Sequence, residues 1–216
     1  MVVVYRRPNG FINATAIAPG NYVNTDPGQG SGIDTAIAGN FQQGICAGLA
    51  AAWIMAFASG AEDARDTANF ESYFNNMLRF QGAYLMNYKG KQGISTTTQG
   101  MDPFIRPVQD LGVGVGIHRH SSHEVRLVGE NVLPAGNFAG YTVVPGHAIG
   151  MGRHGGTCYI MDPNYGLQSY DDIVNFIVDL NYLYGAYRQR FNCIGSTVQL
   201  YFYKQGNRAR ADAFSA

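Results

Sequence analysis

Charged residues are scarce in this sequence, and the few charges balance. Asp, Glu, Lys and Arg make up 14% of the 216 residues, and the formal net charge at neutral pH is zero. Because no run of like charge exceeds a few residues, the chain lacks the electrostatic footprint of a protein that binds nucleic acid or an anionic membrane. We therefore expect neither of these partners.

Cysteine and long apolar runs are scarce as well. The chain has three cysteines, namely Cys46, Cys158 and Cys193. Their number is odd and too small for a disulfide framework in a chain of this length. We therefore expect that the protein forms no disulfide and works in a reducing compartment. The most apolar stretch contains Gly48 and is broken again at 59–60, so we predict no membrane-spanning segment.

Apolar residues, glycine and tyrosine are plentiful. Hydrophobic residues account for 46% of the chain, which also has 28 glycines and 14 tyrosines. This composition favours one loop-rich domain over 1–216, with an irregular segment at 1–40 and a loose tail at 208–216. Helical patterns come first and strand patterns later, which is typical of the α+β class with a mostly antiparallel sheet.

Three stretches have helical patterns. The stretch 43–57 is apolar on all sides and predicts a buried helix that ends at 59–60. A second helix is predicted at 67–88. A third follows Ser169, the predicted N-cap. Its predicted buried stripe comprises Ile173, Phe176, Ile177, Leu180 and Leu183.

Several other stretches alternate with a period of two and predict strands. They are 2–5, 113–118, 125–129, 141–144, 147–152, 157–161 and 196–203. A tight hairpin turn is predicted at 154–156, where two glycines follow a histidine. A polar, glycine-rich loop is predicted at 89–103, next to the site discussed below.

Cys46 stands at the first turn of the predicted buried helix. At that point unpaired backbone N–H groups and the positive end of the helix dipole favour an anion, which lowers the pKa of a thiol and makes it a better nucleophile. Taken alone, Cys46 is more simply a small core residue, because free cysteine is among the most buried residue types. Two residues about a hundred positions later change this balance.

His147 begins one strand of the predicted hairpin, and Asp162 ends the other. Residues near the open end of an antiparallel pair face each other, so the turn at 154–156 brings this imidazole close to this carboxylate. A catalytic base and the carboxylate that orients it need that arrangement. A thiol from a separate helix would complete a Cys–His–Asp set.

Three blocks of the sequence resemble the YopT-type cysteine peptidases, which include bacterial type III effectors and have a papain-like fold. The blocks are GICAGL followed by WI at 44–54, HAIGM at 147–151 and YIMDPNYG at 159–166. The order Cys, His, Asp and the short gap between the His and the Asp both match the family. The resemblance spans 40–190, and its C-terminal block is the most specific part.

The resemblance implies a thiol endopeptidase in which Cys46 is the nucleophile, His147 the general base and Asp162 the residue that orients His147. In papain-like enzymes an amide side chain upstream of the cysteine helps to hold the oxyanion. Asn40 lies six residues before Cys46 and suits that role. Two neighbouring amides compete with it, namely Gln42 and Gln43. We expect no cofactor and no metal.

The resemblance also implies a partner and a location. A YopT-type peptidase acts on a protein of a host cell, so we expect a protein substrate and a secreted effector or toxin domain that works in the host cytoplasm. Residues 1–7 lack the order of a classical secretory signal. We expect a monomer.

Other functions stay open. Transglutaminases and arylamine acetyltransferases use Cys, His and Asp in the same order, so acyl transfer is one alternative; a papain-related cell-wall amidase and a non-catalytic binding domain are others. The run DPNYG at 162–166 favours the peptidase. His118, His120, His123 and Glu124 have the residue types of a metal site, but a polar surface hairpin at 118–124 is the simpler interpretation.

Overall fold

The structure is a computed structural model that describes residues 15–16, 46–61, 63–66, 117–144 and 147–205. The predicted strand at 2–5, helix at 67–88, loop at 89–103 and tail at 208–216 lie outside the described residues. So does the segment 1–40, apart from its two described positions. Within the described ranges, no helix combines the length and the apolar character that crossing a membrane requires.

Most of the described strands follow one another in the chain without a helix between them. In chain order they are strand β1 (Thr15–Ala16), helix α1 (Cys46–Ser59), helix α2 (Asp63–Asp66), strand β2 (Ile117–Val125), a 3-10 turn (Glu130–Val132), strands β3 (Phe138–Val144), β4 (His147–His154), β5 (Thr157–Asp162) and β6 (Gly166–Tyr170), helix α3 (Ile173–Arg190) and strand β7 (Val198–Gln205).

The strands form one sheet in the order β1-β6-β5-β4-β3-β7-β2. Each described pair of neighbouring strands is antiparallel. The predicted α+β class with a mostly antiparallel sheet is therefore confirmed.

Helix α1 packs on one face of the sheet, against β3 and β4. Two glycines of β4 allow this close approach. A Cβ at Gly150 would lie 2.6 Å from Cε3 of Trp53, and a Cβ at Gly152 would overlap the ring of Phe57. The helix ends where the sequence predicts, because Gly60 has a φ of +82° and ends the helical path.

Helix α3 packs on the opposite face, where Phe176, Leu180 and Leu183 are buried as predicted. The predicted N-cap, Ser169, is wrong, because Ser169 is part of β6 and pairs with β5 and β1. The chain leaves the sheet only after β6. Asp172 is therefore the N-cap, and its carboxylate accepts a hydrogen bond from the backbone N–H of Val174 at 3.1 Å.

The polar run 118–124 is not a hairpin but the middle of strand β2, so that expectation is wrong. Polar side chains are tolerated there because β2 is an edge strand of the described sheet. The ladder between β2 and β7 has a bulge at His120, between Arg119 and Ser121. The separate strand predicted at 125–129 is also wrong, since β2 ends at Val125.

Candidate active site

The turn at 154–156 is the first element that positions the site. Gly155 and Gly156 have φ values of +59° and +96°, as a two-residue hairpin turn of type I′ requires. This turn fixes the register of β4 against β5, from His154 opposite Thr157 to Gly150 opposite Met161. The predicted hairpin is therefore confirmed.

The same register brings the predicted imidazole and carboxylate together. If this register is extended by one step, Asp162 falls opposite Ile149, which makes His147 its diagonal neighbour on the same face of the sheet. The ring Nε2 of His147 lies 3.2 Å from Oδ1 of Asp162, and both side chains are buried. The two residues lie at the ends of β4 and β5 that are far from the turn. They meet because the turn folds the two strands against each other.

Cys46 reaches this pair from the other layer of the fold. It is the first residue of α1 and is half-buried. Its thiol makes a hydrogen bond with the side chain of His147, and it is also hydrogen-bonded by the backbone N–H groups of Ala47 and Ala148. Because Nε2 of His147 faces Asp162, Nδ1 is the ring nitrogen left for the thiol.

The protonation of the site follows from these contacts. Burial alone acts to lower the pKa of His147, but the carboxylate of Asp162 and the thiol of Cys46 outweigh it and raise the pKa to about 10. Burial acts to raise the pKa of Cys46, but the hydrogen bond and charge of His147, with the two N–H groups, bring that pKa below its usual value. Both shifts favour a thiolate beside an imidazolium.

Asp162 is held by more than His147. The backbone N–H of Asn164 donates to its Oδ1 at 2.7 Å. The hydroxyl of Tyr187 lies 3.0 Å from both carboxylate oxygens and donates to them. A fully buried carboxylate needs such donors because burial removes its hydrogen bonds to water.

Tyr187 is the residue that the sequence analysis missed. It lies on α3, and its ring is stacked on that of His147, with 4.3 Å between centroids and 24° between planes. The side-chain amide of Asn164 donates to the Tyr187 hydroxyl at 2.9 Å. The signal was in the sequence, because Tyr187 lies four residues after Leu183 and continues the buried stripe of the helix.

The other two cysteines have different surroundings. Cys158 is buried within β5, and burial raises the pKa of its thiol to about 11. Cys193 is half-buried after α3, and its thiol contacts the backbone oxygen of Arg188 at 3.5 Å. The structure brings neither of them to His147 in any described contact, and all three cysteines are free.

The other predicted site residues are the oxyanion-hole candidates and the residues of the metal-site alternative. Asn40, Gln42 and Gln43 lie outside the described residues. On β2, His120 is exposed and the carboxylate of Glu124 accepts a hydrogen bond from the hydroxyl of Thr197. Among the described parts of the chain, no group of three or more His, Cys, Asp or Glu side chains is arranged to hold a metal.

Comparison of the sequence with protein-family models gives no match, and none of the curated proteins matches it. Among solved structures, the Pseudomonas avirulence protein AvrPphB is similar, with a TM-score of 0.54 and 16% identity, covering 84% of this chain and 96% of that protein. The ubiquitin-specific protease encoded by the murine cytomegalovirus tegument protein M48, solved with a ubiquitin-based suicide substrate, has a TM-score of 0.44 and 12% identity over 88% of this chain and 87% of its own. At this level of identity, the likeness to AvrPphB is a likeness of fold.

Proposed function

We propose that this protein is a thiol endopeptidase in which Cys46 is the nucleophile, His147 the general acid and base, and Asp162 the residue that orients His147. One observation carries the proposal. His147 is hydrogen-bonded on one side to Cys46 and on the other to Asp162, with 3.2 Å between Nε2 and Oδ1, and these contacts favour the charged forms of Cys46 and His147. A reactive thiol needs this arrangement of base and carboxylate.

The mechanism follows from the positions of the charges. The Cys46 thiolate attacks the carbonyl carbon of the scissile peptide bond, and negative charge develops on the carbonyl oxygen. The imidazolium of His147 then gives its proton to the leaving amine as the C–N bond breaks, which leaves a thioester on Cys46 and a neutral imidazole. His147 next removes a proton from a water molecule, whose oxygen attacks the thioester. The second product leaves as a carboxylic acid, and the thiolate–imidazolium pair is restored.

The oxyanion needs donors that the ion pair does not provide. We propose that the side chain of Asn40 supplies one, together with the backbone N–H of Cys46, which stands at the positive end of α1. Gln42 and Gln43 are the competing choices. Each donor of this kind contributes about 3–4 kcal/mol of transition-state stabilisation in other acyl-transfer enzymes.

The fold supports the same proposal at a coarser level. The Cys, His and Asp blocks of the sequence resemble those of the YopT-type peptidases, and the chain is similar in fold to the Pseudomonas avirulence protein AvrPphB. We propose on that basis that the substrate is a protein of a host cell and that the peptidase acts as an effector in the host cytoplasm.

The product distinguishes hydrolysis from acyl transfer, which the same three residues could perform. The experiment treats a host-cell lysate with the protein in the presence of an excess of a primary amine and measures product masses. The proposal predicts shortened chains with a new N-terminus and a free C-terminal carboxylate, and none with Cys46→Ala. Stable amine adducts on full-length proteins, with no cut chain at any time, would instead establish a transferase.

A further inference from the structure

Tyr187 contacts both His147 and Asp162, the two residues proposed to act with Cys46. Its hydroxyl donates to both oxygens of Asp162 at 3.0 Å, and its ring is stacked on His147 at 4.3 Å. Tyr187 comes from α3, on the opposite face of the sheet from α1. The ring and the hydroxyl therefore act on two different groups at once.

Tyr187 is itself held in place from two sides. The side-chain amide of Asn164 donates to its hydroxyl at 2.9 Å, and the ring of Phe191 lies nearly parallel to it, with 6.2 Å between centroids and 11° between planes. Burial and the neighbouring carboxylate of Asp162 raise the pKa of Tyr187, so its hydroxyl stays protonated and remains a donor.

We propose that Tyr187 is a positioning residue that acts on Cys46 through His147: its hydroxyl fixes the orientation of the Asp162 carboxylate, and its ring fixes the plane of the His147 imidazole and stabilises the cation. The π face of an aromatic ring attracts a cation. A carboxylate held by the Tyr187 hydroxyl and the Asn164 N–H cannot rotate away from His147 when the proton moves. This role rests on the proposed function but concerns the ion pair itself, so a test without a peptide substrate is available.

The charged and titratable groups that face His147 define what such a test measures. Among the described residues they are the thiol of Cys46 on α1, the carboxylate of Asp162 on β5 and the phenol of Tyr187 on α3. Iodoacetate is an anion, so it alkylates the Cys46 thiolate fastest while His147 is charged. The rate should fall as the pH rises through the pKa of His147, and this falling limb reports that pKa.

Two substitutions separate the ring from the hydroxyl. Tyr187→Met removes both and should move the falling limb to lower pH by about half a unit to one unit, because a cation–π contact is lost. Tyr187→Phe keeps the ring, so its falling limb should lie closer to the wild-type position than that of Tyr187→Met. The lost donor in Tyr187→Phe should still slow the maximal alkylation of Cys46 and lower kcat/KM by about tenfold, mostly in kcat.

The matched controls are Tyr184→Met and Tyr184→Phe. Tyr184 is buried on the same helix, three residues before Tyr187. Both controls should leave the falling limb where it is, and Tyr184→Met should lower the melting temperature, because it removes a buried ring. If Tyr187→Met does not fold, the loss of maximal alkylation rate in Tyr187→Phe relative to Tyr184→Phe carries the test.

The pH dependence of alkylation distinguishes a positioning role of Tyr187 from a purely structural one. A limb that moves in Tyr187→Met and lies closer to the wild-type position in Tyr187→Phe supports the positioning role, even if no peptidase activity is found with any substrate; in that case only the proposed function fails. If both Tyr187 variants keep the wild-type limb and maximal rate while melting at a lower temperature, Tyr187 is a core residue and the inference is overturned.

Discussion

His147 and Asp162 are diagonal neighbours across the β4–β5 hairpin, with 3.2 Å between Nε2 and Oδ1. They stand fifteen residues apart in the sequence, and the Gly155-Gly156 turn sets the register that joins them. The candidate site thus depends on a local hairpin for two of its three residues and on long-range packing of α1 for the third.

The first prediction concerns the thiol. Cys46 should be alkylated by iodoacetamide before Cys158 and Cys193, because its pKa is lowered whereas that of Cys158 is raised to about 11 by burial. Peptide mapping after one equivalent of reagent measures the site of labelling. Activity should be lost in step with labelling of Cys46, and Cys193→Ser should behave like the wild type. Preferential labelling of Cys158 or Cys193 would contradict the account.

The second prediction concerns the orienting carboxylate. Asp162→Asn should keep the fold but lower kcat by about 100-fold or more, because an amide cannot stabilise the imidazolium of His147 by charge. The pKa of His147 should fall at the same time, and NMR titration of the ring measures it. Asp172→Asn is the matched control, since Asn caps a helix about as well as Asp and Asp172 caps α3. Wild-type turnover in Asp162→Asn would move the orienting role elsewhere, with Asn164 as the next candidate.

The third prediction is the pH dependence of activity. The pKa of His147 is raised from 6.5 to about 10, so its positive charge is present at neutral pH and is lost as the pH rises through that value. The pKa of Cys46 is lowered from its usual value of 9.0, so the thiolate is present above the lowered value and is lost as the pH falls through it. The profile of kcat/KM should therefore be bell-shaped, with an alkaline limb near pH 10. An alkaline limb near 6.5 would mean that Asp162 does not stabilise the cation.

The same shift predicts a contribution to stability. A histidine whose pKa is raised by folding stabilises the folded state fully below its unfolded pKa of 6.5, and that contribution is lost as the pH rises through about 10. Unfolding by urea at several pH values measures it. In His147→Gln the loss of stability between pH 7 and pH 10 should become smaller, and an unchanged loss would assign the effect to other groups.

The fourth prediction concerns the packing that positions Cys46. Gly150→Ala should destabilise the protein by about 1–3 kcal/mol, because the added Cβ would lie 2.6 Å from the ring of Trp53 and push α1 away from β4. Gly185→Ala is the control. Its Cβ meets no atom within 4 Å on the exposed side of α3, and there alanine should stabilise the helix by about 0.4–1 kcal/mol. Equal stability of the two variants would show that α1 does not depend on close approach at Gly150.

The local structure around the candidate site was predictable where its causes are local. A two-glycine turn fixes a hairpin from four or five neighbouring residues, and an apolar run ending at Gly60 fixes the end of a helix. Tyr187 was missed because its contacts with His147 and Asp162 depend on α3 packing against the end of the hairpin, and the sequence pattern identifies it only as one more buried residue. Ser169 was misassigned because pairing of β6 with β5 keeps the chain extended past a good capping residue.

Strand β2 is a second case in which long-range packing, rather than the local sequence, decides the structure. Its polar run has the composition of a turn, yet no Gly or Pro interrupts it, and pairing with β7 makes it a strand. Whether a polar segment becomes an edge strand is decided by a partner about eighty residues away. A pattern within the segment does not contain that information.

The most direct test of the central claim is a comparison of protein N-termini in a host-cell lysate after incubation with the wild type, Cys46→Ala or Asp162→Asn. Chemical labelling of free N-termini followed by mass spectrometry measures them. The account predicts a defined set of new N-termini with the wild type, none with Cys46→Ala and the same set at far lower yield with Asp162→Asn. New N-termini that persist at wild-type yield with Cys46→Ala would contradict it.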